Sequence, residues 1–285
     1  RGEVMFSENS NIQKLQKKEL CMLKYFHEIC EKYHLTYYIC GGTLIGAVRE
    51  QGFIPWDDDV DIMMPRKDYE WLLENRTRVF KDHYYLYDYR IDEKENNPRR
   101  VPALCDKSVK IIQKRGNEDR MQYLLLDIFV LDGMPRGNLR RNLHYAHFWI
   151  WHMLLQLSWY DTTVNQYKTN RNVSEKIVIW LLNHVKIRPK WDSQKLVQKE
   201  NNVLEKYGWD HSDYVCSLLG PCHKKEILPK KFFSNSVSLE FEDLLVNAPG
   251  EYHEFLTHYY GDYMVPPAKI EEKELHHRLQ ILGEK

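Results

Sequence analysis

The chain has 285 residues, of which 43% are hydrophobic and 29% are charged, a composition typical of a folded globular protein. Its 41 Lys and Arg balance its 41 Asp and Glu, so it lacks the net positive charge expected of a nucleic-acid-binding protein. The six cysteines show no CxxC spacing, which argues against structural zinc. No run reaches the roughly 18 apolar residues of a membrane span, and the first ten residues lack the apolar core of a signal peptide. The expected location is therefore the cytoplasm.

The first half of the chain alternates predicted helices with predicted strands. Apolar residues at helical spacing predict a helix over residues 12–33. The next predicted elements are a strand at 36–40, a helix at 43–49, a strand at 60–64, a helix at 67–79, and strands at 84–89, 109–113 and 122–131. This order predicts an α+β fold, with a small mixed sheet flanked by helices.

The second half is mostly helical by the same criteria. Helices are predicted at 139–159, 175–185 and 192–207, followed by a hairpin region within 226–245 and a helix at 249–260. We therefore divide the chain into a catalytic core with an N-terminal helix (1–135), a helical region (136–215) and a C-terminal segment that completes the site (216–285).

Residues 147–160 carry no formal charge unless a histidine is protonated. They predict either a buried core helix of the helical region or an interfacial surface that holds the protein peripherally at the inner face of the cell membrane. Both interpretations stay open at this point.

Asp59 and Asp61 are the first candidates for a metal site. Alternate residues of a strand share a face, so these two carboxylates point the same way while the apolar residues between and after them point the other way. Like charges on one face of a buried strand repel each other, and the arrangement is costly unless a cation lies between them.

Asp127 is the third candidate, because it is the one charged residue in the apolar run LLLDIFVL. A neighbouring strand that carries Asp59 and Asp61 would let all three acids share one metal ion. Three hard oxygen ligands suit Mg²⁺ better than zinc. Asp59, Asp61 and Asp127 are therefore the predicted catalytic and metal-binding residues, in a site of the kind that handles phosphates.

Gly41 and Gly42 stand between a predicted strand and a predicted helix. Glycines at this position let backbone amides approach a phosphate at the positive end of a helix. Arg49 is close enough in sequence to neutralise phosphate charge. Asp57 and Asp58 are either solvated loop acids or part of the site, and Asp132, before Gly133, is expected in a turn.

These residues belong to motifs that resemble the LicD family, bacterial phosphocholine transferases related to the fukutin-related proteins. The first block is GGTLIGAVREQGFIPWDDDVDIMMPRKDYE, the second is LLLDIFVLDGMP, and the third is YGDYMVPPAKIEEKELHH. The resemblance implies a nucleotidyltransferase-like fold. It also implies transfer of a substituted phosphate from a CDP-linked donor, typically CDP-choline, to a sugar hydroxyl of a cell-surface glycan such as teichoic acid or lipopolysaccharide.

Carried onto this sequence, the resemblance implies further site residues. Asp59 and Asp61 match the metal-binding pair, and Asp127 matches the third acid. The predicted donor-binding residues are Gly41, Gly42, Thr43, Arg49, Asp58, Lys110 and His276. A choline head group would need an aromatic box, for which the candidates are Trp56, Tyr84, Tyr85, Tyr87, Tyr89 and Tyr123, although each of these is also a normal core residue.

Three other activities stay open from the sequence. A CDP-ribitol-type transferase would share the whole site. A true nucleotidyltransferase would share the metal site but release pyrophosphate instead of CMP. A catalytically inactive glycan-binding module is disfavoured, because all three predicted acids are present. The expected partners are a nucleotide-diphosphate donor and a glycan or lipid-linked glycan acceptor, with no nucleic acid.

Overall fold

A mixed β-sheet flanked by helices is the frame of the molecule. The structure is a computed structural model that describes residues 2–91, 99–115, 118–159, 192–266 and 279–284. The predicted α+β class is confirmed. The predicted helix at 175–185 and His276 lie outside the described residues.

The described residues contain seven α-helices and ten strands. The helices are α1 (Gly2–Tyr33), α2 (Gly41–Arg49), α3 (Arg66–Glu74), α4 (Arg76–Val79), α5 (Asn138–Ser158), α6 (Ser193–Leu204) and α7 (Tyr252–Tyr260). The strands are β1 (Tyr38–Ile39), β2 (Asp61–Pro65), β3 (Tyr84–Tyr87), β4 (Ala103–Arg115), β5 (Glu118–Met134), β6 (Tyr214–Cys216), β7 (Ile227–Pro229), β8 (Val237–Phe241), β9 (Leu244–Ala248) and β10 (Leu279–Glu284).

The main sheet has the strand order β1-β2-β5-β4-β10. The β2–β5 pair is parallel, and the other neighbours along this path are antiparallel. Strand β3 pairs with β4. Strand β6 pairs with the end of β5 on one side and with β7 on the other. Strands β8 and β9 form a separate hairpin. Segments beyond residue 135 therefore contribute β6, β7 and β10 to the sheet built by the first half of the chain.

Helix α1 covers the sheet with one apolar face. Leu15, Met22, Leu23 and Phe26 are fully buried at the spacing that places them on one side of a helix. They belong to the same core cluster as Ile62 of β2. The predicted helical periodicity of this segment is thus confirmed, and the helix extends ten residues further toward the N-terminus than predicted.

Two predicted helices have different boundaries in the structure. The helix predicted at 67–79 is interrupted at Asn75, whose side-chain amide donates a hydrogen bond of 2.8 Å to the Trp71 carbonyl and so ends α3. The helix predicted at 43–49 begins at Gly41 instead. Gly41 has φ +57°, a conformation that glycine adopts at no steric cost.

The prediction of Asp132 as a turn residue is wrong. Strand β5 continues through Met134, so Asp132 lies within a strand and is 2% exposed. Arg66 at the start of α3 donates two hydrogen bonds to its carboxylate, of 2.8 and 2.7 Å. This bidentate ion pair supplies the partner that a buried carboxylate requires.

His144 lies on the inner face of α5, where burial lowers its pKa to about 4. Its ring meets Tyr207 edge-on with centroids 5.0 Å apart, and within the part of the chain that the structure describes its buried Nε2 has no hydrogen-bond partner. The neutral ring fits this position, whereas the imidazolium would lose hydration without gaining a partner.

We expect His144 to make the protein less stable in acid. Its pKa is lower in the folded state than in the unfolded chain, so its contribution is complete above pH ~6.5 and is lost as the pH falls toward 4. His144→Asn should flatten the decline of the free energy of unfolding between pH 7 and pH 4.5, measured by urea titration. His147→Asn, at an exposed position of the same helix, is the control, and equal declines in the wild type and His144→Asn would contradict the assignment.

Candidate active site

Two acids face each other across the parallel strands β2 and β5. Asp61 is in register with Asp127, and residues in register on neighbouring strands point to the same face about 5 Å apart. The backbone N–H of Asp127 also donates a 3.1 Å hydrogen bond to the Val60 carbonyl. The predicted adjacency of these two strands is therefore confirmed.

The loop before β2 adds three more acids to this end of the sheet. The side chains of Asp57 and Asp59 share a hydrogen bond, and Asp58 is only 8% exposed, which contradicts the solvated-loop interpretation for Asp58. Gln16 of α1 holds the loop in place, because its side-chain amide donates to the carbonyls of Ile54 (3.2 Å) and Asp57 (2.9 Å).

The pKa values of this cluster are raised. Burial, followed by the charges of Asp59 and Asp58, raises the pKa of Asp57 to about 8. Burial and the charge of Asp127 raise the pKa of Asp59 to about 6, and burial with the neighbouring acids raises the pKa of Asp61 well above its usual value. The cluster therefore holds more negative charge than its surroundings compensate, and it is electrostatically suited to a cation.

The N-terminus of α2 lies directly against the acids. A methyl group added at Gly41 would come 2.9 Å from Oδ2 of Asp61, and one added at Gly42 would come 2.3 Å from Oδ2 of Asp57. Cys40, the N-cap residue, makes no side-chain capping bond. The first amides of this nine-residue helix are therefore available to phosphate oxygens beside a cation site.

Thr43 and Arg49 occupy different ends of α2. The Thr43 hydroxyl accepts a 3.0 Å hydrogen bond from the Asp61 backbone N–H, which fixes the helix to β2. Arg49 is eight residues after Gly41, about 12 Å along the helix. Its guanidinium donates to the Tyr263 carbonyl (3.3 Å) and pairs with Glu50. The structure places Thr43 beside the acids and Arg49 at the far end of the helix, and the donor-binding roles stay predictions.

Lys110 lies along the sheet from the cluster. It is exposed on β4 and in register with Tyr123 of β5, four residues from Asp127 and so about 13 Å along the strand. The structure does not bring Lys110 to the acids in this conformation.

Sequence reasoning missed Arg99, which forms an ion pair with Asp127. The charge of Arg99 also offsets part of the rise in the pKa values of Asp59 and Asp61. No spacing rule points to Arg99, because it precedes β4 in a charged loop whose position depends on the folded sheet. Its chain neighbour Arg100 turns away and pairs with the buried Glu200 of α6.

Glu19 of α1 was also missed. It is 1% exposed, and neither carboxylate oxygen has a hydrogen-bond partner among the described residues. Burial raises its pKa well above the usual value, and the charges of Asp59, Asp58, Asp57 and Asp61 raise it further. In the sequence, Glu19 is one of several polar residues of an amphipathic helix, so no local pattern predicts that it is buried beside the cluster.

We expect Glu19→Gln to change the pH dependence of stability. A carboxyl group with a raised folded pKa contributes stability that is complete below its unfolded pKa and is lost as the pH rises. The free energy of unfolding is measured by urea titration in EDTA for both proteins. The difference between Glu19→Gln and wild type should favour the variant more at pH 8 than at pH 5. Glu28→Gln, at an exposed position of α1, should show no such gain, and an equal pH dependence in Glu19→Gln and wild type would contradict a buried ionisable Glu19.

The acids fit a divalent cation through pairs of ligands. Among the described residues, no group of three or more His, Cys, Asp or Glu forms a ready-made metal site, and Asp127 is engaged by Arg99. Mg²⁺, however, is commonly held by one or two carboxylates together with substrate phosphates. The side-chain hydrogen bond between Asp57 and Asp59 brings two carboxyl groups together at a place where a cation would relieve their repulsion. Asp59 and Asp61 would hold such an ion, with Asp127 in reach after it leaves Arg99.

The aromatic candidates for a choline-binding box lie in different surroundings, some in the core and others against basic side chains or near the acids. Tyr84 stacks on Tyr25 at 4.2 Å, and Tyr87 is 3% exposed, so both have core roles. Tyr89 lies under the Arg100 guanidinium, 3.7 Å from its ring centroid. Further along the sheet, Tyr85 meets Tyr123 edge-on and carries the Lys107 ammonium 4.3 Å above its face. Trp56 is half-buried directly before Asp57.

These features define an α+β protein with a half-buried acidic cluster beside the N-terminus of a glycine-started helix. The family model described as "LicD/FKTN/FKRP, nucleotidyltransferase domain" matches residues 34–101, the stretch that contains α2, the acidic loop and β2. The chain is 30% identical over 259 residues to the lipopolysaccharide cholinephosphotransferase LicD of Haemophilus influenzae, covering 90% of this chain and 92% of that protein. The chain belongs to the LicD family, and this membership makes it a transferase.

Two uncharacterized rickettsial proteins are similar over shorter stretches. One from Rickettsia prowazekii is 32% identical over 117 residues, covering 40% of this chain and 39% of that protein. One from Rickettsia typhi is 46% identical over 56 residues, covering 19% and 18%.

Proposed function

We propose that this protein transfers phosphocholine, or a similar substituted phosphate, from a CDP-linked donor to a sugar hydroxyl of a cell-surface glycan precursor such as lipopolysaccharide or teichoic acid, with release of CMP and dependence on Mg²⁺. The observation that carries the proposal is the position of Asp61 and Asp57 against the amide end of α2, with Asp59 hydrogen-bonded to Asp57. The relative in Haemophilus influenzae, named as a lipopolysaccharide cholinephosphotransferase, supports choline as the head group.

The site would bind the donor through its diphosphate. The first amides of α2 would donate to phosphate oxygens at the positive end of the helix, and the carboxylates of Asp59 and Asp61 would hold the cation. A bound Mg²⁺ supplies charge stabilisation on the leaving phosphate oxygens. Gly41 and Gly42 are required here because any larger side chain would fill the space between the helix and the acids.

The chemical step is an in-line displacement at the phosphorus that carries choline. The bond from the acceptor oxygen to this phosphorus forms, the bond from the same phosphorus to the bridging oxygen breaks, and CMP leaves with that oxygen. The hydroxyl proton passes to a base, for which Asp127 is the proposed group. Arg99, paired with Asp127, would fix the orientation of this carboxylate, and a ligand role for Asp127 remains the other assignment.

Product analysis tests the proposal. The purified protein is incubated with CDP-choline, Mg²⁺ and a glycan acceptor, and the released nucleotide, pyrophosphate and modified glycan are measured by chromatography and mass spectrometry. We expect CMP and a phosphocholine-modified glycan in equal amounts, and neither in EDTA.

Each other outcome points to a different chemistry. Turnover of CDP-ribitol but not CDP-choline would change the head group and keep the site. Pyrophosphate release from a nucleoside triphosphate would contradict phosphocholine transfer and favour a true nucleotidyltransferase. No turnover and no magnesium-dependent binding of any nucleotide would contradict an enzymatic role.

A further inference from the structure

Helix α5 is apolar on two opposite faces. Its inner face buries Phe148 and Leu155 beside His144 and packs against α6. The opposite face carries four large apolar side chains at the spacing 4, 7 and 3 residues, with exposed fractions of 73%, 62%, 58% and 47%: Leu139, Leu143, Ile150 and Met153. A helix needs only one apolar face to join a core, so the packing among the described residues does not account for this second stripe.

The charged residues around the stripe are mostly basic. Helix α5 contains two arginines and no Asp or Glu. Arg140 is exposed, and the exposed pair His223 and Lys224 lies beside the helix, where the His223 ring meets Trp149 with centroids 5.2 Å apart. Two acids pair with α5 or the residues just before it within the described residues: Asp213, whose carboxylate lies 3.3 Å from Arg136, and Glu200, which lies 2.7 Å from His152 on the inner face.

The sequence around α5 shows the same bias. Between residues 136 and 191 there are nine Lys or Arg and only two Asp or Glu, in a chain whose overall balance is zero. This stretch also holds five of the eight Trp residues. Apolar side chains flanked by Trp and basic residues without acids are the composition of a helix that lies in the interface of an anionic membrane.

We infer that the outer face of α5, defined by Leu139, Leu143, Ile150 and Met153, docks on an anionic phospholipid surface. The helix would lie in the membrane plane, with the stripe among the acyl chains and Arg140 and Lys224 at the headgroups. No helix among the described residues is long and apolar enough to cross a bilayer, which agrees with a peripheral contact. The sequence is compatible with either a core helix or such a surface at residues 147–160. In the structure Phe148 and Leu155 of this segment are buried, and the exposed stripe begins earlier, at Leu139.

The inference deepens the proposed function, because it would bring the enzyme to a lipid-linked acceptor, but it is argued from α5 alone.

Its test is co-sedimentation of the full chain with phosphatidylcholine vesicles that contain about a third phosphatidylglycerol, at low and high salt. We expect binding that weakens with salt and that falls on the order of tenfold or more in the double variant Leu143→Gln, Ile150→Gln. Arg140→Glu should lose binding mainly at low salt.

Leu245→Gln, at an equally exposed position of β9, is the matched control and should bind like wild type. Sedimentation velocity without vesicles completes the test. Absence of vesicle binding by the wild type would overturn the inference, as would a wild-type dimer that the double variant converts to monomer. Magnesium-dependent binding of CDP-choline in solution is measured separately. If it is retained while vesicle binding is absent, only the membrane contact fails; if it is lost, the proposed function fails.

Discussion

Asp61→Asn is expected to reduce phosphocholine transfer by at least about 10³-fold, because loss of one carboxylate would weaken binding of the cation that stabilises charge on the leaving CMP, a contribution of several kcal/mol. Asn keeps the size of the side chain, so the contacts of β2 with β5 and α2 should persist. The measurement is the rate of CMP release from CDP-choline with Mg²⁺ and acceptor present.

The same substitution separates function from stability. Asp61 has a raised pKa because it is buried among acids, so the neutral side chain should leave the metal-free protein no less stable, and more stable at pH 8 than wild type in EDTA. Loss of activity accompanied by a large loss of stability would indicate a structural role. Activity near the wild-type level would exclude Asp61 from the metal site.

Gly42→Ala is expected to have the second largest effect, a loss of about 10²-fold in transfer rate. The added methyl group would lie 2.3 Å from Oδ2 of Asp57, so the Asp57 side chain must move and the methyl then occupies the space between the helix amides and the acids. A displacement of about 1 Å in the reacting groups is enough for an effect of this size. Transfer rates and the affinity for CDP-choline, measured by calorimetry, check the result.

Gly208→Ala is the matched control for this substitution. Gly208 has φ −76°, and no atom lies within 4 Å of a methyl group added there, so its variant should keep full activity. Melting temperatures of the two variants close to wild type would show that any loss in Gly42→Ala arises at the site. Unchanged activity in Gly42→Ala would contradict phosphate binding at the N-terminus of α2.

The sequence was most informative where chemistry and periodicity coincide. The apolar run around Asp127 indicated a central strand, and the parallel register of β2 and β5 confirms it. Alternation around Asp59 and Asp61 predicted one shared face, and the register places Asp61 opposite Asp127. The glycine pair indicated a close approach of backbone to the site. Each of these signals is local, since it depends on residues within a few positions of one another.

The features that sequence reasoning missed depend on contacts between distant segments. Glu19 is 38 or more residues before the acidic loop, and Arg99 is 28 residues before its partner Asp127. The burial of Asp132 follows from β6, which pairs with β5 from more than 80 residues away. Such contacts leave no spacing pattern in a single sequence, so the electrostatic surroundings of the cluster could not be predicted.

The central claim is that the acidic cluster and the N-terminus of α2 together bind a cation and the donor diphosphate. Calorimetric titration of the wild-type protein with CDP-choline, first with Mg²⁺ and then with EDTA, tests it most directly. The account predicts binding that depends on Mg²⁺, is tighter than binding of CMP, and is lost in Asp61→Asn. Equal affinity for CDP-choline with Mg²⁺ and with EDTA would contradict it.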